Sequence, residues 1–275
     1  MHFPHLPDWA VYGAVIGALL VAAISRQERA DAPEPPPPVQ GEEAVPISPA
    51  GPFGTSLVTR VSGRRRVEMG TAFSVGEVGQ WVTARHVVAG CSKVALMVAE
   101  GRGVLAKVRT DPPVDLAVLT TEGGAIGLPL SHEEPKIGDR GFHPGFPKGA
   151  AGEATSRFLG REKLPAHRRG QPAQTVLAWS ETGRTRGLHG AMSGLSGAPV
   201  LDSKGMVVGV TLAEQPRRGR LYTTTPATLA HTLDKARLLP SGAGLGDPVT
   251  VDNYFRVADT LRREVRVAQV ICLTS

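Results

Sequence analysis

The chain has 275 residues, 41% of them hydrophobic and 20% charged, which is enough to bury a core and unlike a disordered polymer. Its net charge of +6 comes from basic residues scattered in short groups such as Arg64-Arg65-Arg66 and Arg217-Arg218. Without an aromatic-interleaved stripe, a zinc-finger pattern or closely spaced ligand residues, nucleic acid and metal are not expected as partners, and no cofactor motif is present.

The first element is the uncharged run Trp9 to Ile24. It is long enough as a helix to reach most of the way across a bilayer core. An anchor, a cleaved signal and a buried core helix all fit such a run. No Lys or Arg precedes it, as a signal peptide would require, so residues 1–29 are read as a lipid-bilayer anchor. Arg26 and Arg29 follow the run and argue against export of what comes next. The segment 30–53 holds eight prolines from Ala30 to Pro52, four of them consecutive, and reads as an extended spacer. An anchor, a stiff spacer and a globular domain together imply a single-pass protein with an extracytoplasmic, periplasmic domain.

From Gly54 onward the 33 glycines and 23 prolines punctuate short apolar runs, the pattern of an all-β domain spanning 54–240. Strands are expected at 56–62, 66–75, 80–83, 93–98, 103–110 and 114–121. A second set is expected at 140–146, 174–179, 198–201, 206–212 and 221–225. Two clusters of short strands suggest two barrels. The basic stretch Arg157 to Arg169, between the expected strands 140–146 and 174–179, fits a disordered activation loop or, the commoner case, a long surface loop. Helices are expected at 226–239 and at 252–267. In the second, Tyr254, Val257, Ala258, Leu261 and Val265 recur at helical spacing. Residues 241–275 therefore read as a helical tail outside the barrels. Cys91 and Cys272 fit either one disulfide or two buried thiols.

Three segments carry chemistry, in the order His, Asp, Ser. They are Gly70-Thr71-Ala72-Phe73 with Thr83-Ala84-Arg85-His86-Val87, then Val114-Asp115-Leu116-Ala117-Val118, then Gly194-Leu195-Ser196-Gly197-Ala198-Pro199-Val200. Singly, each residue has an ordinary alternative. Asp111 lies close to Asp115, Ser193-Gly194 repeats the Ser-Gly pair of Ser196-Gly197, and seven other histidines exist. Only His86 follows a Thr-Ala-x pattern, and only Ser196 has glycines on both sides with Pro199 downstream.

Together the segments resemble those of chymotrypsin-like serine proteases, most closely the bacterial HtrA-type peptidases. The resemblance covers about Thr55 to Leu239 and implies a double antiparallel β-barrel. It implies a serine endopeptidase acting on protein or peptide substrates through His86, Asp115 and Ser196, with the N–H groups of Gly194 and Ser196 as the oxyanion hole. A substrate pocket lined by Gly190, Ser193, Leu212, Ala213 and Glu214 is also implied. No acid lies at His189 or Gly190, so a small or medium apolar P1 side chain is expected, with Glu214 at the pocket edge.

The chain departs from the family at three places. Leu195 stands where digestive relatives carry an aspartate that pairs with a new N-terminus. Ala198 replaces a second glycine. Roughly 35 residues follow Leu239, too few for a PDZ domain. A protease-fold module that grips peptides without cutting them is the alternative from a different class.

Overall fold

The computed structural model describes residues 14–18, 21, 53, 58–60, 66–110, 114–164, 173–238 and 246–274. Most of the expected anchor and the proline-rich spacer lie outside these residues. Among the described residues no helix is long and apolar enough to cross a membrane.

The rest is mostly β, in two antiparallel barrels. The first uses β1 (Thr59–Arg60), β2 (Arg66–Ser74), β3 (Gln80–Ala84), β4 (Lys93–Ala99), β5 (Arg102–Thr110) and β6 (Leu116–Thr120). The second is the closed set β7 (Arg140–Gly145), β8 (Gly152–Leu164), β9 (Gln174–Arg184), β10 (Pro199–Leu201), β11 (Val207–Gln215) and β12 (Arg220–Thr223). Helices are few. One four-residue turn of helix, α1 (Arg85–Val88), follows β3 directly, and α2 (Pro226–Lys235) and α3 (Tyr254–Arg263) follow the second barrel.

These strands form where inward positions are apolar or β-branched. In β3 the residues Trp81, Val82, Thr83 and Ala84 are all buried. Phe73, Trp81, Leu96, Leu116 and Leu119 fill the first barrel, and Leu177, Trp179, Leu195, Val200 and Leu221 fill much of the second. Each of these large side chains contributes about 2 kcal/mol by leaving water.

Two expectations are corrected. The tail is not outside the barrels: residues Val267–Leu273 form a strand, β13, hydrogen-bonded between β4 and β2. With β2 to β6 it makes a closed ring of six strands, in which β5 also pairs with β6, while β1 is added along β5. The helix expected to 267 stops at Arg263. It ends in a Schellman turn, in which Arg266 N–H reaches the Leu261 carbonyl (2.8 Å) and Val265 sits at φ 52°. That position ordinarily takes glycine, so the sequence carries no visible stop. Helix α2 ends the same way, at Lys235 rather than Leu239, with Arg237 at φ 56° and Leu238 N–H on the Leu233 carbonyl (2.9 Å).

The second correction concerns the basic stretch. Residues 157–164 belong to the thirteen-residue strand β8, whose outer side chains are the basic ones; residues 165–172 lie outside the described set.

Two devices hold the added strand. A disulfide joins Cys91 to Cys272, tying β13 to the segment just after α1. Helix α3 leans on the second barrel through a buried ion pair between Arg262 and Glu153 (2.9 Å). Burial pushes the Glu153 carboxyl above its ordinary value, and Arg262 opposes that shift.

Candidate active site

The first barrel brings His86 and Asp115 together. His86 lies on α1, immediately after β3, and Asp115 lies one residue before β6, which pairs with β3 in the register Ala84↔Leu116. That register sets the two side by side. The His86 ring Nδ1–H donates to Asp115 Oδ2 at 2.8 Å, because an ionised carboxylate can only accept. The backbone N–H of His86 donates to Asp115 Oδ1 at 3.0 Å, and Arg85 N–H reaches the Asp115 carbonyl at 3.2 Å. Asp115 is thus bonded from two sides and 13% exposed, while the His86 side chain is 44% exposed and free to meet a substrate. Asp111, the rival acid, lies outside the described residues.

The second barrel supplies the serine. Ser196 sits in the tight turn that enters β10. Two glycines shape it. Gly194 has φ +101°, and a Cβ there would press on the Phe146 carbonyl at 2.5 Å; Gly197 has φ +88° and packs against Thr71 and Thr83. The turn is fastened to the first barrel by Thr71 on β2. Thr71 N–H donates to the Ser196 carbonyl (2.9 Å), and its hydroxyl donates to the Gly194 carbonyl (2.8 Å). The same hydroxyl accepts the N–H of Phe146 (3.0 Å).

His86, Ser196, Gly194 and Leu195 line one cavity of about 430 Å³ with Ser193, Ala213 and Glu214. Of the expected pocket residues, Gly190 and Leu212 are not in its wall. Arg184 holds the Gly190 carbonyl aside (2.7 Å), and the Leu212 side chain is buried in the core. Leu212 still reaches the site through its carbonyl, which accepts Ser196 Oγ–H at 3.4 Å. Among the described residues no hydrogen bond joins Ser196 to His86. Ser193, the rival nucleophile, also lines the cavity, and its carbonyl accepts the Lys148 N–H at 2.5 Å.

The departures from the resemblance have structural answers. Leu195 is 2% exposed and packs into the second barrel with Met192, Ala198 and Val200. Ala198 is fully buried, its N–H bonded to the Leu195 carbonyl (3.0 Å) and its carbonyl to Thr211 N–H (2.8 Å), so the extra methyl is absorbed.

Met192, inside the expected segment Gly190 to Ser193, lines the cavity, and so do Met69, Lys148 and Thr211, which no sequence signal marked. Lys148 adopts φ 55°, rare for a residue with a Cβ, and this turns its N–H toward Ser193. Behind the wall, His143 is fully buried between Thr211 Oγ1 (3.1 Å) and Ser156 Oγ (2.7 Å). Burial lowers its pKa to about 3, so it is neutral in the folded protein. Burial pushes the Glu214 carboxyl up, while Met192 N–H, Arg184 and Lys148 pull it back and Glu181 adds to the rise.

Among known proteins, residues 70–210, just over half of the chain, match the model of the trypsin-like peptidase domain. HhoA of Synechocystis sp., named as a serine protease, is 30% identical over 166 residues, covering 58% of this chain and 41% of that protein. The match thus spans less than half of that relative. Two solved structures of the Rv3671c protease share the fold, each at 24% identity. The active form, from M. tuberculosis, has a TM-score of 0.55 and covers 70% of this chain and 82% of that one. The inactive form has a TM-score of 0.53 and covers 68% and 89%. With both barrels closed and the family's segments at their facing ends, the chain belongs to the trypsin-like peptidase domain family.

Proposed function

We propose that this protein is a serine endopeptidase that hydrolyses peptide bonds through His86, Asp115 and Ser196 by way of an acyl-enzyme. The observation that carries the proposal is the bond from His86 Nδ1–H to Asp115 Oδ2 at the mouth of the cavity that Ser196 also lines. With Nδ1 fixed as the donor, Nε2 carries the lone pair that a general base needs.

In this reading Ser196 Oγ leaves the Leu212 carbonyl by rotating about χ1, gives its proton to His86 Nε2 and attacks the scissile carbonyl carbon. Asp115 steadies the imidazolium. The oxyanion forms between the N–H groups of Gly194 and Ser196. Neither N–H has an acceptor among the described residues. Each such donor is worth about 3 kcal/mol in the transition state. Collapse of the tetrahedral adduct expels the amine, which takes the proton from His86 and leaves an ester on Ser196. Water, deprotonated by His86, then releases the acid and frees Ser196.

Substrate backbone would pair along β11. Thr211, Ala213, Glu214 and Gln215 pair with β12 on one edge; on the other, β10 reaches Val210 and the Gly197–Ala198 backbone holds Thr211, so residues 212–215 have no backbone partner there among the described residues. Apolar walls from Met69, Met192, Ala213 and Leu221 support a small or medium apolar P1 side chain. The apolar run 9–24 and the prolines after it support tethering of the domain to a membrane, with the protease on its periplasmic face; cell fractionation with and without residues 1–29 tests this.

The alternative, a peptide-binding module without catalysis, draws on the Ser196 bond to Leu212. Hydrolysis of an unfolded protein substrate separates the two. The proposal expects turnover that falls about a millionfold in Ser196→Ala. Binding without turnover in the wild type would favour the module.

A further inference from the structure

The turn that carries Ser196 has to keep backbone donors open, and an unpaired N–H away from water is costly. Of the N–H groups from Met192 to Ala198, those of Met192, Leu195, Gly197 and Ala198 have acceptors within the protein. Those of Ser193, Gly194 and Ser196 have none among the described residues. Leu195 is uncharged and buried, so no ion pair at that position holds the turn. The restraint comes from elsewhere.

Thr71 takes the Gly194 end of the turn and Lys148 N–H takes the Ser193 carbonyl. A further tie comes from an acidic side chain. Glu214, at the end of β11, accepts the Met192 N–H at 2.6 Å. Met192 is where the turn closes on itself, since its carbonyl accepts Leu195 N–H (2.9 Å) and its side chain is 2% exposed. Fixing its N–H therefore fixes the first peptide of the turn. A carboxylate makes this bond about twice as strong as a neutral acceptor would.

The two cations beside Glu214 hold the same segment by its carbonyls. Arg184 donates to Gly190 (2.7 Å) while paired with Glu181, and Lys148 Nζ donates to His189 (2.5 Å). With Arg184 also reaching the Leu188 carbonyl (3.4 Å) and Thr71 N–H the Ser196 carbonyl (2.9 Å), the held groups run from Leu188 to Ser196.

We propose that Glu214 is a positioning residue, whose bond to Met192 N–H keeps residues 190–196 in the shape that leaves the Gly194 and Ser196 N–H groups open. It does by a side chain of the second barrel what an acid at position 195 cannot do here. The role in catalysis rests on reading Ser196 as the nucleophile; the structural tie does not.

The test is hydrogen–deuterium exchange on the full chain, comparing wild type, Glu214→Ala and Glu214→Gln. Turnover of p-nitrophenyl acetate, an ester with no side chain to fill the cavity, is measured in parallel. Glu214→Ala should speed exchange across 190–196 about tenfold and lower kcat on the ester by at least that factor, with KM little moved. Glu214→Gln, which keeps a carbonyl acceptor, should restore most of the protection. Unchanged exchange at 190–196 overturns the proposal, and so does a rise spread equally over both barrels. Normal ester turnover with only an altered P1 preference also overturns it, making Glu214 a selector of substrate. A wild type silent toward the ester but showing the predicted exchange pattern upholds the tie and overturns the catalytic reading instead.

Discussion

The two barrels hold their halves of the site in different ways. The first presents His86 and Asp115 on adjoining ends of paired strands, and a direct 2.8 Å bond orients the ring. The second presents Ser196 on a turn with little regular structure of its own, held by Thr71, Lys148 and Glu214 from three separate places in the chain. The barrels also close differently. The second is built from one continuous stretch, whereas the first borrows β13 from the far end of the chain. The base half thus depends on a long-range closure, and the nucleophile half on side-chain ties. Damage to the closure of the first barrel should appear as lost stability, and damage to the ties that hold the Ser196 turn as lost rate.

The largest effect expected on the base half is chemical. Asp115→Asn keeps the shape but can leave the wrong His86 tautomer, and kcat on a peptide ester should fall about ten-thousandfold while the melting temperature barely moves. A drop of less than about tenfold would remove Asp115 from the mechanism. Next comes the closure. Cys91→Ser opens a loop spanning 181 residues, and urea unfolding should show a loss of about 5 kcal/mol, because the cross-link restricts the unfolded chain. An unchanged midpoint would mean that β13 is secured by its strand pairing alone.

A smaller, graded effect should come from His143 in the second barrel. The unfolded chain takes a proton on this ring near pH 6.5, whereas the folded protein resists until about pH 3. The unfolded state therefore binds more protons in that window, and stability should fall as pH drops through it. Glu153 and Glu214 act in the opposite sense: with carboxyls raised by burial, the folded state holds their protons more tightly, and stability gains as pH falls through their range. Comparing the pH slopes of wild type and His143→Gln isolates the histidine; the variant should be flatter between pH 6.5 and 3.

Much of this was legible in the sequence. Short apolar runs set off by glycines and turn residues marked β2 through β6 to within a residue or two, because these strands are buried on one face or, as in β3 and β6, along nearly their whole length. The segments around His86, Asp115 and Ser196 were legible because the proposed triad calls for particular residue types in fixed local patterns. What escaped was long-range or lacked punctuation. β13 is hidden in the tail 241–275 behind a helix drawn on to 267, since Val265 occupies a left-handed turn position without a glycine to mark it. β8 read as a loop because Arg157, Arg161 and Lys163 lie along its outer face. Thr71 was quoted as part of a motif, yet its partner Gly194 is 123 residues away, and nothing local announces that bond. Glu214 was placed at the pocket edge, but its hold on Met192 is a fact of tertiary packing.

The central claim is that the two halves make one working centre at Ser196. Its most direct test is to treat the full chain with a fluorophosphonate and locate the modified residue by mass spectrometry, alongside Ser193→Ala, Ser196→Ala and His86→Ala. A phosphonyl group is expected on Ser196 in the wild type and in Ser193→Ala, and none in the other two. A label on Ser193, or none on the folded wild type, would contradict it.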